Sequence, residues 1–241
     1  MTTQALKQAM IFAAGKGTRM MPLTADRPKP MLEVLGKPLL GHALENVQAS
    51  GIGNIVVNAH HCPEVIERWL PSGITLSNEA DLLETGGGVK KALDDGLLDK
   101  TQPLLGVNAD ILCTNGPTPA IDRLNNRWNE LGSKVDVLLL LVPKDKAWGH
   151  ESPNGDYTMD ADGRITRLSN PQAEYVYAGL QITRPSLYAD AALGQKFSNL
   201  VIFDRAQQAG RLYGLVHDGG WFHFSTPASL AQFHQQVAPA P

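Results

Sequence analysis

The residues with the clearest chemical potential sit near the start of the chain. Gly15-Lys16-Gly17-Thr18-Arg19 follows the apolar run Ala9–Ala14, and Arg27-Pro28-Lys29-Pro30 comes shortly after. A glycine-rich loop behind a buried strand lets backbone N–H groups approach an anion closely. Lys16, Arg19, Arg27 and Lys29 fall within fourteen residues of a chain whose net charge is −3. Backbone donors combined with four cations suit a polyphosphate. Prolines on both sides of Lys29 favour extended backbone and restrict where its ammonium group can be placed. A rigidly held cation is useful where negative charge develops during a reaction. The spacing is not the G-x-x-x-x-G-K-[ST] of a P-loop, and the third glycine of a dinucleotide G-x-G-x-x-G falls on Met20.

Further along, Asn108-Ala109-Asp110 closes the apolar run Leu104–Val107. In an open parallel sheet ligands bind at the carboxyl ends of strands, so a carboxylate there is well placed. One carboxylate, with phosphate oxygens and water, is a usual setting for Mg²⁺. Glu79 precedes Leu83-Glu84-Thr85-Gly86-Gly87-Gly88, whose glycine amides at a helix start would be free to face a base or a phosphate. His60-His61-Cys62 is a poor zinc site, because adjacent histidines do not readily aim at one ion and no fourth ligand has the right spacing.

The elements that must position these groups alternate. Short apolar runs at 9–14, 54–58, 74–77, 104–107 and 135–142 read as strands. Helical patterns lie between them at 38–50, from Pro63, at 88–98 and at 119–131. This alternation means βαβ units with right-handed crossovers and a mainly parallel sheet. The remainder reads as a hairpin over 157–168 around Asp162-Gly163, strands at 175–182 and 212–216, helices at 197–209 and 227–237, and a frayed tail at 238–241. The expected architecture is a single Rossmann-like α/β domain, with a mixed, mainly parallel sheet flanked by helices. Its first half would cover about 8–145 and its second half about 146–237.

Composition narrows the function classes. The chain has 241 residues, 43% hydrophobic and 19% charged, which fits a packed core. A net charge of −3 and a pI near 6.1 offer no bulk attraction to nucleic acid or to an anionic membrane. No apolar run approaches the ~20 residues of a membrane helix. The two cysteines, Cys62 and Cys113, are far apart. The short apolar run at 9–14 does not read as a secretory signal, so the expected location is the cytoplasm.

The G-K-G-T-R-M-M-P and R-P-K-P segments, followed in order by L-E-T-G-G-G, N-A-D, Y-A-G and the tryptophan at 221, resemble the sugar-1-phosphate nucleotidyltransferases over nearly the whole chain. Within that family the resemblance is strongest to bacterial N-acetylmuramate-1-phosphate uridylyltransferases. Mannose-1-phosphate guanylyltransferases are also similar. The resemblance implies that an NTP and a sugar 1-phosphate give an NDP-sugar and pyrophosphate with Mg²⁺, in a monomer or small homo-oligomer. It places the NTP on Ala13, Ala14, Gly15, Lys16, Gly17, Thr18 and Arg19, with Glu79 and Gly86 near the base. Arg19, Lys29 and Asp110 become the catalytic set, with Asp110 on the metal. Asn108, Asp156 and Gly179 fall on the sugar side.

One departure matters. Where the family reads W-x-D-x-G-T-P, this chain has Trp221-Phe222-His223-Phe224-Ser225-Thr226-Pro227. His223 replaces a metal-binding carboxylate, and imidazole suits Mn²⁺ better than Mg²⁺. Asp218 stands close by in sequence as a substitute carboxylate. The other reading of this departure is a nucleotide-sugar-binding regulatory protein that has lost activity.

Overall fold

Five buried residues, Gln8–Phe12, form β1 at the centre of the molecule. Successive side chains of a strand point to opposite faces. Ala9 and Ile11 therefore join one core, and Met10 and Phe12 the other. A strand covered on both faces needs a continuous apolar run, and β1 has one. The structure, a computed structural model, describes residues 4–168 and 172–237. The tail expected at 238–241 lies outside the described residues.

After β1 the chain makes a small hairpin, β2 (Glu33–Val34) and β3 (Lys37–Pro38), and enters α1 (Leu39–Ala49). Next come β4 (Asn54–Ala59), α2 (Pro63–Trp69), β5 (Thr75–Asn78) and α3 (Glu84–Asp94). They are followed by β6 (Leu104–Asn108), β7 (Ile111–Cys113), α4 (Ala120–Leu131) and β8 (Val137–Pro143). The last part holds β9 (Tyr157–Met159), β10 (Ile165–Arg167), β11 (Tyr175–Thr183), α5 (Leu200–Gln208), β12 (Leu212–Val216), β13 (Trp221–His223) and α6 (Pro227–Val237).

Nine strands make one sheet, ordered β10-β9-β11-β6-β1-β4-β5, with β8 and β12 continuing from β11. The pairs β6-β1, β1-β4, β4-β5 and β8-β12 are parallel, while β11 runs against both β6 and β8. The result is a single α/β domain with a mixed, mostly parallel sheet, as the alternation implied. Register matters for the site: Phe12 pairs with Asn58 on one side and with Asn108 on the other. Three strands therefore end side by side, and their following loops open on the same edge. Order reverses at β1, since the chain passes to β4 and β5 on one side and then returns to β6 on the other. Helices α1, α2 and α4 cover one face, and α3 and α5 the other. A third cluster packs α6 through Leu230 and Phe233 against Met20, Leu112 and Phe224.

Two helix boundaries differ from the sequence expectation for one reason. The glycine triplet lies inside α3 rather than ahead of it. A Cβ at Gly86 would stand 2.4 Å from the Phe197 ring, and one at Gly87 would stand 2.5 Å from the Gln195 carbonyl. The glycines are there for close packing. Phe197 in turn stays out of α5, because its carbonyl accepts the Gly86 and Gly87 N–H groups at 2.9 and 3.0 Å. The three-residue strands β7 and β13 were not foreseen.

Candidate active site

The loop after β1 is held by its own backbone and by the segment behind it. Gly17 takes a left-handed conformation (φ 61°), and the Thr24 hydroxyl donates to its carbonyl at 2.9 Å. A Cβ on Gly17 would press on Thr24 and on Lys29 Cβ, at 3.1 and 3.2 Å. The glycine thus lets the loop lie directly against Lys29, which sits in a turn of 3-10 helix (Lys29–Met31) and not in the extended backbone that its flanking prolines suggested; only Pro28 is extended. Behind the loop, Asn58 Oδ1 accepts the Ala13 N–H at 2.7 Å.

A cleft of about 500 Å³ opens at this edge of the sheet. Ala13, Ala14, Gly15, Lys16, Gly17, Thr18 and Arg19 all line it, and so do Lys29, Asn108 and Asp110. Arg27 does not; it pairs with the neighbouring Asp26 at 3.1 Å. The segment expected to face the base does line the cleft, through Leu82, Glu84 and Thr85, and Asn58, Ser198 and Ser225 add walls that were not expected. Asn58 ends a strand already recognised, so its place beside β1 could have been found from the register. Ser225 lies two residues past His223 in the segment that departs from the family pattern, whereas Ser198 carried no signal.

On the cleft floor Lys29 Nζ donates to Asp110 Oδ2 at 2.9 Å. His223 Nε2 lies 3.9 Å from the same oxygen. Strand register brings these distant residues together: β13 pairs with β7 so that His223 lies opposite Ile111, next to Asp110. Enclosure pushes the Asp110 carboxyl up, but Lys29 and His223 outweigh it and hold the group below the usual carboxylate range. Burial pushes His223 down; Asp110 opposes that, while Lys29 and Arg19 add to it. At neutral pH the floor therefore carries an ionised carboxylate paired with Lys29, with a neutral imidazole beside it but outside the cleft lining.

Five expected site residues do not line the cleft; His223, beside Asp110, is one of them. Glu79 is buried behind it, accepting from Asn58 Nδ2 at 2.7 Å and from the Leu83 N–H at 3.0 Å. Burial pushes its carboxyl up, and the two hydrogen bonds oppose the shift. Its oxygens brace the loops after β4 and β5. Gly86 is packed under Phe197 with its N–H already taken, so the expected contact of its amide with a base or phosphate is corrected. Asp156 accepts the Tyr177 N–H at 2.9 Å. Gly179 sits in the irregular stretch of β11 with φ +80°, where a Cβ would stand 3.0 Å from Asn108 Cβ. It backs the cleft wall without facing the cleft. Asp218 is committed elsewhere, to Arg123 Nη1 at 2.6 Å, and does not replace the carboxylate absent at 223. The imidazoles of His60 and His61 each contact a backbone carbonyl, Glu79 and Thr24 respectively, at 2.9 Å.

The "Nucleotidyl transferase" family model matches residues 8–232. The chain belongs to that family. It is 34% identical to an N-acetylmuramate alpha-1-phosphate uridylyltransferase of Caulobacter vibrioides, over 99% of this chain and 100% of that protein. A protein of the same description from Neisseria meningitidis serogroup B is 32% identical over 93% and 96%. Identity is lower, 27%, to the mannose-1-phosphate guanylyltransferase catalytic subunit beta of Danio rerio, of which 61% is covered. Among solved structures, a UDP-glucose pyrophosphorylase complexed with UDP-glucose shares the fold at a TM-score of 0.78 with 14% identity, covering 96% of this chain and 98% of that one. HddC from Yersinia pseudotuberculosis, complexed with GMP-PN, follows at 0.73 with 20% identity, covering 96% and 99%. Family members generally use divalent metal ions and act on an NTP and a sugar 1-phosphate. No helix among the described residues is long and apolar enough to cross a membrane.

Proposed function

We propose that this chain transfers a uridylyl group from UTP to N-acetylmuramate 1-phosphate, releasing pyrophosphate. One observation carries the reaction class. The carboxyl ends of β1 and β6 bring the Lys16–Arg19 loop and the Lys29–Asp110 pair to one cleft. The choice of UTP and of the muramate rests on the two relatives matched over almost their full length. On this reading residues 8–145 supply most of the nucleotide side and residues 146–237 the sugar side, in a cytoplasmic enzyme.

The reaction is an in-line attack by a sugar-phosphate oxygen on the α-phosphorus of the NTP. The nucleophile is already ionised, so no general base is required. The protein's task is positioning and charge neutralisation. Loop amides from Ala14 to Thr18 cradle the triphosphate, with Lys16 and Arg19 on its β- and γ-phosphates. Arginine suits this place because its planar fork can grip phosphate oxygens in two places. Lys29 neutralises the charge shared between the α-phosphate and the incoming sugar phosphate. Asn108 faces the sugar.

Asp110 fits a divalent ion. Its side chain is 37% exposed in the cleft, and a carboxylate with one ammonium partner keeps further lone pairs free. His223, within 3.9 Å, is the second donor. Among the described residues no group of three or more histidine, cysteine or acidic side chains could hold an ion unaided. The remaining ligands would thus be phosphate oxygens and water, a usual arrangement for Mg²⁺. When bound, the ion would neutralise phosphate charge; a histidine ligand favours Mn²⁺ over Mg²⁺.

Pyrophosphate release from a panel of nucleoside triphosphates and sugar 1-phosphates, with Mg²⁺ or Mn²⁺, tests the reading. UTP with N-acetylmuramate 1-phosphate should give the highest kcat/KM. If GTP with mannose 1-phosphate is at least about tenfold better, a difference of about 1.4 kcal/mol, the substrates are wrong and the reaction class stands. No release with any pair and either metal would support a binding protein instead.

A further inference from the structure

Glu151 has no part in the roles assigned so far, yet the fold delivers it to the cleft. Residues 148–151 run alongside β13. Trp148 and Phe222 form a parallel bridge, and the His223 N–H donates to the Trp148 carbonyl at 3.0 Å. Gly149 lies flat on β13 with φ +78°; a Cβ there would stand 2.1 Å from the His223 carbonyl oxygen. Three residues beyond the bridge on each chain, Glu151 meets Ser225. The Ser225 hydroxyl, on a residue 1% exposed, donates to Glu151 Oε1. The other carboxylate oxygen, Oε2, is 3.7 Å from Arg19 Nη1. Ser225 and Arg19 both line the cleft, so Glu151 ties the wall after β13 to the end of the loop after β1.

We propose that Glu151 is a positioning residue: anchored by Ser225, it holds the Arg19 guanidinium ready for the phosphates of an entering nucleoside triphosphate. This rests on the reading of Arg19 as a triphosphate ligand. The Arg19 side chain is 66% exposed and touches little that would order it. Ordering such a chain on binding reduces affinity, and an anchor removes part of that penalty in advance. A guanidinium has five N–H donors in a fixed fork. Glu151 takes the Nη1 end, leaving the other edge for phosphate. The carboxylate is itself fixed, because its second oxygen belongs to Ser225. An ion pair this exposed adds little to folding stability, so the consequence lies in binding.

The test measures UTP and GTP dissociation constants by calorimetry, with kcat and KM, in the wild type, E151Q, S225A, R19A and R19A/E151Q. E151Q should weaken triphosphate binding about three- to tenfold, the range expected for releasing one rotamer-rich side chain. Its kcat, its KM for the sugar phosphate and its melting temperature should stay near wild type. S225A should act in the same direction. In the R19A background E151Q should have no further effect, since residues acting through one contact are not additive. Unchanged or tighter binding in E151Q overturns the proposal, as does an effect that persists without Arg19. If R19A itself leaves triphosphate binding unchanged, the phosphate role of Arg19 falls and this proposal with it. If R19A weakens binding and E151Q does not, only the role of Glu151 falls.

Discussion

Lys29 and Asp110 stand 81 residues apart in the chain and meet at 2.9 Å on the cleft floor, with the lysine side chain 9% exposed. A buried ammonium is tolerated when a carboxylate faces it. Asp110 faces Lys29 from the loop after β6, beside the loop after β1. Lys29→Met keeps the packed stem and removes the charge. Losing one preorganised charge-stabilising group commonly costs about 10²–10³ in rate. The variant should remain folded by circular dichroism and lose turnover by that factor. Turnover within about threefold of wild type would take Lys29 out of the mechanism.

Asn58 links two loops through a buried amide. Its Oδ1 accepts from Ala13 N and its Nδ2 donates to Glu79 Oε1, both at 2.7 Å. Asn58→Leu has nearly the same volume but leaves the Ala13 N–H and a buried carboxylate oxygen without partners. Each such group costs about 1–3 kcal/mol. Urea unfolding should show a loss of about 2–6 kcal/mol for the two groups together, and UTP affinity should fall because the loop that begins at Ala13 is no longer braced. Equal stability in the two proteins would mean that other partners replace Asn58.

The glycine-rich loop at the cleft was legible in the sequence because its glycines and cations are neighbours in the chain. The parallel core was legible for a similar reason: strands buried on both faces leave continuous apolar runs, as in β1 and β4. What was hidden depends on partners far away. Gly86 and Gly87 look like an open helix start until Phe197, more than a hundred residues on, is seen to occupy their N–H groups. Three-residue strands such as β7 and β13 are too short to show a period, yet their pairing sets the distance between His223 and Asp110. Glu151 reaches Ser225 only through that same strand and the flat contact at Gly149.

Two histidines should make the protein less stable in mild acid. Burial pushes both His217 and His223 below the ordinary imidazole value, against hydrogen bonds to backbone carbonyls at His217 and the pull of Asp110 at His223. The unfolded chain then binds protons at about pH 6.5, where the folded protein does not. Stability from these groups is fully present above that value and is lost as pH falls toward their depressed values. Urea unfolding followed from about pH 7.5 to 5.5 should show this decline, and His217→Gln/His223→Gln should show a shallower one. An equal slope in the double variant would place the acid sensitivity elsewhere.

The proposed place of His223 as second metal donor makes the site's ion preference testable. With Asp110 as the single carboxylate on the floor and a neutral imidazole beside it, an ion finds one fewer negative ligand than the family's usual pattern provides. Mg²⁺ prefers hard oxygen donors and should bind weakly, while Mn²⁺ accepts nitrogen more readily. A ligating imidazole must also be deprotonated, so metal affinity should fall as pH drops below the ordinary imidazole range toward the depressed value of His223. His223→Asp adds a carboxylate next to Lys29, whose charge offsets part of the repulsion from Asp110. The variant should bind Mg²⁺ at least about tenfold more tightly in the presence of UTP, and it should lose the acid dependence. Asp110→Asn should abolish activity with either ion. Calorimetry and Mn²⁺ electron paramagnetic resonance report binding directly, separately from turnover. If His223→Asp leaves affinity, ion preference and pH profile unchanged, His223 is not a metal ligand. If only His223→Asp releases pyrophosphate, the natural chain is better described as a nucleotide-sugar-binding protein.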